Sequence, residues 1–181
     1  MCEIDREFFE KCRKEYVESG EHFYPIKEWA LGSFRKPNEK DYGIKLTFHI
    51  ISKDREQLNL NKEMQGLNKP EKGVGIPPDK LVEVAEWLLK QLGPEAYQEG
   101  QCEKEGLEEA YGYKFEIIKK FDKDNFTDIN LKLMHNLNET KYFLNTQKKF
   151  GEYPHRKGVE IPKQMLEQIA QCLVIASEKM K

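Results

Sequence analysis

Ile44, Leu46, Phe48 and Ile50 alternate with Lys45, Thr47 and His49. A period of two with one apolar side predicts a half-buried β-strand. Lys27–Phe34, carrying β-compatible aromatics, reads as a strand before it. Gln57–Asn61 follows with a shorter alternation at Leu58 and Leu60. A stretch of turn formers (Gly66, Asn68, Pro70) then leads to a short strand at Gly73–Ile76. Beyond it the period lengthens. Leu81, Val84, Ala85 and Leu88 recur at helical spacing, opened by Pro77-Pro78-Asp79 and ended by Gly93-Pro94; proline is tolerated in a first helical turn and glycine stops a helix.

The second half of the chain says this again. Tyr113–Phe121, Asp128–Asn136 and Lys141–Lys149 are its strand candidates, Gly151–His155 its loop and Lys157–Ile161 its short strand. A helix runs from Pro162 to about Ser177, with Leu166, Ile169, Ala170 and Leu173 as its inner stripe and Met165, Cys172 and Ile175 widening it. Lys72-Gly73-Val74-Gly75-Ile76-Pro77 matches Lys157-Gly158-Val159-Glu160-Ile161-Pro162 at a separation of 85 positions. The same separation relates Gly66 to Gly151, Leu46 to Leu131 and Ile44 to Ile129. An offset held across strand, loop and helix predicts an internal duplication.

Each copy is four strands and a helix, near the lower size limit for folding alone. A helix apolar on more than one side packs on a second partner besides its sheet, and the other copy's helix is the available one. The expected fold is therefore α+β: two ββββα repeats with curved antiparallel sheets, packed as an intramolecular pseudo-dimer. An amphipathic helix over residues 4–17 (Ile4, Phe8, Phe9, Cys12, Tyr16, Val17), stopped at Gly20, has no counterpart in the second half. The expected divisions are a helical extension at 1–24, the first repeat at 25–92, an acidic linker at 93–111 and the second repeat at 112–181.

Charge changes this picture locally. The chain has 181 residues and a net charge of −2, which gives no global attraction to a polyanion. Residues 94–109, however, hold six Glu and one Lys, whereas 112–157 hold ten Lys/Arg against six Asp/Glu, and 26–77 ten against seven. Two mildly basic blocks flank an acidic linker. The longest apolar run, Cys172–Ala176, cannot span a bilayer. Met1-Cys2-Glu3-Ile4-Asp5-Arg6 does not read as a secretory signal. Scattered Cys2, Cys12, Cys102 and Cys172 suggest reduced thiols in a cytoplasmic protein without a zinc site. Motifs for triads, zinc proteases or nucleotide loops do not occur, and His49, His135 and His155 have no sequence-near acid or cysteine suggesting a triad. The expectation is a non-enzyme with no cofactor.

If Ile44, Leu46 and Phe48 face the helix, then Lys45, Thr47 and His49 face outward, as do Asn130, Lys132 and Met134 in the second copy. Lys53-Asp54-Arg55 and Asn138–Lys141 join the second and third strands. Gln147 to Lys157 interleaves Lys148, Lys149, Arg156 and Lys157 with Phe150 and Tyr153. Single-stranded nucleic acid is held by such a mixture, cations tracking phosphates and rings stacking bases. A solvated hairpin rim is the plainer alternative, since lysine also protects strand edges from aggregation.

Lys141-Tyr142-Phe143-Leu144-Asn145 to Phe150, then Gly151 to Ile161, resembles the positive-cofactor-four family of transcriptional coactivators. Lys114-Phe115-Glu116-Ile117-Ile118 is similar to the first strand of its small bacterial members. The likeness covers about residues 112–179 well and 26–92 more loosely. It implies a ββββα domain that dimerises through its helices and binds single-stranded DNA across curved sheets. Tandem copies are also similar to the purine-rich-element-binding (Pur) proteins, whose repeats form the dimer internally. Carried onto this chain, the resemblance implies roles for Arg156, Lys157, Phe150 and Lys141.

The first copy departs from the pattern. Glu71-Lys72 replaces Arg-Lys, and Met64 or Gln65 stands where the aromatic should be. The full expected nucleic-acid-binding set is Lys45, Arg55, Lys62, Lys72, Lys132, Lys141, Lys148, Lys149, Phe150, Tyr153, Arg156 and Lys157. The expected ligand is single-stranded DNA, bound with little sequence preference, in transcription regulation, replication or repair. RNA is the alternative ligand, transcription or replication proteins are possible partners, and a protein-interaction scaffold is the alternative role.

Overall fold

The computed structural model describes residues 6–19, 27–36, 42–52, 55–64, 71–93, 107–110, 113–135, 140–150 and 158–180. Helix α1 (Arg6–Ser19) comes first, followed by strands β1 (Lys27–Arg35), β2 (Tyr42–Ser52), β3 (Arg55–Met64) and β4 (Glu71–Ile76). A single 3-10 turn at Pro78–Lys80 leads into α2 (Leu81–Lys90). The second half holds β5 (Leu107–Ala110), β6 (Tyr113–Asp122), β7 (Thr127–His135), β8 (Thr140–Lys148) and β9 (Gly158–Ile161). Another 3-10 turn, Lys163–Met165, precedes α3 (Leu166–Lys179). The first sheet is β1-β2-β3-β4 and the second β5-β6-β7-β8-β9, with every pairing antiparallel.

The chain is thus α+β, two antiparallel sheets each followed by a helix, with one helix outside the duplication. The end of the acidic linker differs from expectation. Leu107–Ala110 pairs with Tyr113–Glu116 and gives the second sheet an extra edge strand.

The strand register refines the duplication. Leu46 faces Leu60 and Leu131 faces Leu144, so β2 and β7 keep the 85-residue offset while β3 and β8 are related by 84. Val74 opposite Leu60 and Val159 opposite Leu144 then restore 85. One residue is lost before the third strand and regained after it. The first strands share an irregularity: both ladders shift around one extra residue, Leu31 in β1 and Ile118 in β6. Such a bulge bends its strand and increases the local twist.

Alternation decides which side of each sheet is buried. Ile44, Leu46, Phe48, Ile50, Leu58, Leu60, Val74 and Ile76 are all fully buried on one face, as are Ile129, Leu131, Leu144 and Ile161 in the second sheet. Leu81, Val84, Ala85 and Leu88 of α2 join them with Leu166, Ile169, Ala170 and Leu173 of α3. These residues form one hydrophobic cluster that draws on both repeats and on α1. Helices α2 and α3 pack on each other, β9 lies beside β3 and β4, and β4 lies beside β8. Phe9 of α1 is buried edge-on against Phe48, with ring centroids 5.1 Å apart. Arg13 pairs with Glu56 at 2.8 Å, and Lys179 of α3 pairs with Glu10. Among the described residues no helix is long and apolar enough to cross a membrane.

Candidate nucleic-acid interface

The face of the second sheet opposite the helices is assembled by the same alternation. Leu131 and Leu133 point to the core, so Asn130, Lys132 and Met134 point away; Tyr142 and Leu144 point to the core, so Lys141, Phe143 and Asn145 point away. Pairing sets Phe115 beside Met134, Lys120 beside Asn130 and Phe143 beside Lys132. The rings of Phe115 and Phe143 are partly exposed and tilted by 55° at a centroid distance of 5.6 Å.

Lys132 lies beneath them, only 2 % exposed. Its Nζ is 5.7 Å from the Phe115 ring centre and donates to Gln147 Oε1 at 3.2 Å. Asn130 Nδ2 donates to the same oxygen at 2.7 Å, while Asn130 Oδ1 is buried without an acceptor role. A desolvated ammonium near an aromatic face is attracted to the ring quadrupole.

Gly158 is what allows Phe143 to lie across β9. A Cβ there would stand 2.7 Å from Phe143 Cζ and 2.6 Å from the Leu144 carbonyl oxygen. At Gly73, its counterpart, a Cβ would stand 2.5 Å from the Leu60 carbonyl oxygen and would also meet the Asn61 side chain.

A second group sits at the end of this sheet. The Lys149 N–H donates to the Phe126 carbonyl at 2.9 Å, tying the residue before Phe150 to the Phe126 turn; Phe126 and Phe150 are 74 % and 78 % exposed. The turn before Phe126 is fixed by Asp124, whose Oδ1 accepts from the N–H groups of Phe126 (2.7 Å) and Thr127 (2.8 Å). Burial works against that carboxylate, but these hydrogen bonds and neighbouring Lys123 outweigh it and hold Asp124 below its ordinary value. Lys149 is held above its ordinary value, first by its hydrogen bond to Asp122, with Asp128 3.7 Å away.

The expected residues fall into separate places. Lys132 and Lys141 share the ring-bearing face, but Lys132 is buried rather than open to solvent. Lys148, Lys149 and Phe150 gather at the sheet end. Lys45 lies on the helix-opposite face of the first sheet, opposite Asn61 and Ser33. Lys62 does not share that face: it pairs with Ile44 on the helix side, at the exposed rim, with Nζ 4.6 Å above the Tyr42 ring. Arg55 is exposed at the start of β3, and Lys72 falls at the β4 irregularity between Glu71 and Gly73. Tyr153, Arg156 and Lys157 lie outside the described residues.

Residue reasoning passed over Phe115, Phe143, Phe126 and Lys120 as site residues. Phe143 was legible, since it alternates with Tyr142 and Leu144. Phe115 was masked by the bulge at Ile118, which breaks the period of β6. Phe126 could have been flagged as an aromatic inside a turn sequence, Asp124-Asn125-Phe126-Thr127.

The first sheet presents a different surface. Thr47, Asn59 and Asn61 take the places of Lys132, Phe143 and Asn145. Asn61 Nδ2 donates to Thr47 Oγ1 at 3.0 Å, and Asn59 Nδ2 lies 2.8 Å from His49 Nδ1. This is a hydrogen-bonded polar ladder in which Asn59 stands where the second sheet has Phe143. Compared with protein-family models and with curated proteins, the sequence matches none.

Proposed function

We propose that the protein binds single-stranded nucleic acid, DNA in the first place, through the helix-opposite face of its second repeat, with little sequence preference. The two repeats act in this reading as an intramolecular pseudo-dimer. The pattern of contacts supports that symmetry. A two-fold axis relating the repeats would exchange the β3–β9 contact with the β8–β4 contact and map α2–α3 and β4–β9 onto themselves, and all four contacts occur.

One observation carries the ligand class: the Phe115 and Phe143 pair stands on a face that also bears Lys120 and Lys141, with Lys132 buried beneath the rings. Rings of this kind stack unpaired bases, which no duplex offers, and the ammonium groups favour the phosphates between them. At the sheet end, exposed Phe126 and Phe150 extend the stacking surface. The similarity of the second repeat to the positive-cofactor-four pattern supports the same class.

Fluorescence anisotropy with a short oligo-dT, at several salt concentrations, tests this. Binding that weakens with salt is expected, and Phe115→Ala with Phe143→Ala should cost tenfold or more, since each stacked base contributes about 1–3 kcal/mol. No binding tighter than about 100 μM in low salt, where even non-specific binders associate, removes the reading. An oligo-U arm separates RNA from DNA. A protein-scaffold role is favoured by one observation, the exposed Val82 and Leu89 of α2 and Leu92 in the turn after it.

A further inference from the structure

Strand β9 carries an acid where its counterpart carries none. Val159 and Ile161 are buried toward the helices, so Glu160 faces the ring-bearing side, opposite Phe143. Its Oε2 lies 3.5 Å from Lys141 Nζ and 3.6 Å from Lys36 Nζ. Lys141 belongs to the second repeat and Lys36 follows β1 of the first, so one carboxylate oxygen joins cations from both. The Glu160 side chain is 34 % exposed, Lys141 18 % and Lys36 6 %. In the first repeat the same strand position is Gly75. The repeat therefore forms its last strand without an acid there.

We propose that Glu160 is an internal competitor for phosphate: its carboxylate occupies the place between Lys36 and Lys141 that a backbone phosphate of the bound strand would take. The inference rests on the nucleic-acid reading above and names a residue that limits affinity within that site. A carboxylate and a phosphodiester each offer anionic oxygens at hydrogen-bonding distance from an ammonium group. The Lys141–Glu160 pair is partly solvated, and pairs of that kind are weak, whereas Lys36 is buried beside it. A strand whose bases stack on Phe143 brings its phosphates past the neighbouring strand β9, where they meet the Glu160 charge. The acid holds the two lysines in place when the site is empty and opposes the strand when it is full.

The test is oligo-dT anisotropy on the full chain, wild type against Glu160→Gln, across a salt series. Glutamine keeps the shape and an oxygen for both ammonium groups, a melting curve checks that the variant is folded, and Glu160→Gly, copying Gly75, is the second route. Binding should tighten by about threefold or more at low salt, the size of a weak ion pair. The slope of log affinity against log salt should steepen by up to about 0.7, one added phosphate contact on a single strand. Adding Lys141→Ala to Glu160→Gln should abolish the gain. Equal or weaker binding by both Glu160 variants overturns the inference, as does a gain that survives loss of Lys141. If wild type and variants alike fail to bind, the nucleic-acid reading falls and takes this inference with it, whereas binding by wild type without a gain removes the inference alone.

Discussion

At the scale of single residues, several of the described lysines are committed to local partners. Lys149 is tied to Asp122 and Asp128, Lys141 and Lys36 to Glu160, and Lys132 to Gln147 beneath two rings. A count of lysines along the chain therefore overstates the field a ligand would meet. Asp124 illustrates how one side chain positions an aromatic. Its carboxylate binds two backbone N–H groups and so fixes the turn that presents Phe126. Because its folded value is depressed, the stability it contributes is present above the ordinary carboxylate range and disappears as pH falls through the folded value. Asp124→Ala should melt below wild type at neutral pH, and the gap should close as pH is lowered from about 5 toward 2. Thermal melts at both ends of that range check it; a gap that persists in acid would mean the carboxylate is not the source.

At the scale of elements, the two repeats share devices that a residue match alone does not reveal. Both first strands carry a bulge, at Leu31 and Ile118, and both last strands carry a glycine, Gly73 in β4 and Gly158 in β9, with no room for a Cβ beside the carbonyl of the neighbouring strand. Gly158→Ala would force Phe143 and the Leu144 carbonyl to move. It should destabilise the protein by about 1–3 kcal/mol, as overpacking does, and shift the Phe143 ring resonances in an NMR spectrum. Wild-type stability would show that β9 can slide at no cost. Helix α1 answers a need found only in the first repeat. Phe9 covers Phe48, which itself stacks on Trp29 at 5.5 Å. In the second repeat the positions of Trp29 and Ile50 are Glu116 and His135, paired at 3.0 Å. A hydrogen-bonded polar pair replaces an apolar surface where no such helix is duplicated.

At the scale of the whole molecule, a core that draws on both repeats and α1 argues for one cooperative unit. Neither sheet has its helix to itself, because α2 and α3 pack on each other. Calorimetry should give a single unfolding transition with calorimetric and van't Hoff enthalpies about equal. Two separated transitions would mean that each repeat holds its own core. Each sheet also has a face opposite its helix, and the two faces differ in chemistry: rings and cations on the second sheet, hydrogen-bonded amides on the first. The duplication preserved the architecture and left the outer positions free to change, since those side chains do not hold the sheets to the helices.

The sequence alone determined the elements and the duplication. Ile44 to Ile50 and Leu81 to Leu88 repeat at the periods that β and helical geometry impose, so their buried faces follow from local spacing. It also carried the outward placement of Lys45, Lys132 and Lys141, because alternation fixes the side of a sheet. Burial was decided elsewhere. Lys132 is covered because Phe115 and Gln147 arrive from the neighbouring strands β6 and β8, whereas Lys62 takes the helix side by the same alternation that buries Leu58 and Leu60. The neighbours of Glu160 depend on both repeats being brought together, since Lys36 lies more than a hundred residues earlier. Periodicity is a property of one segment and can be read from it; a charge's environment is set by several segments at once, and only their packing brings those together.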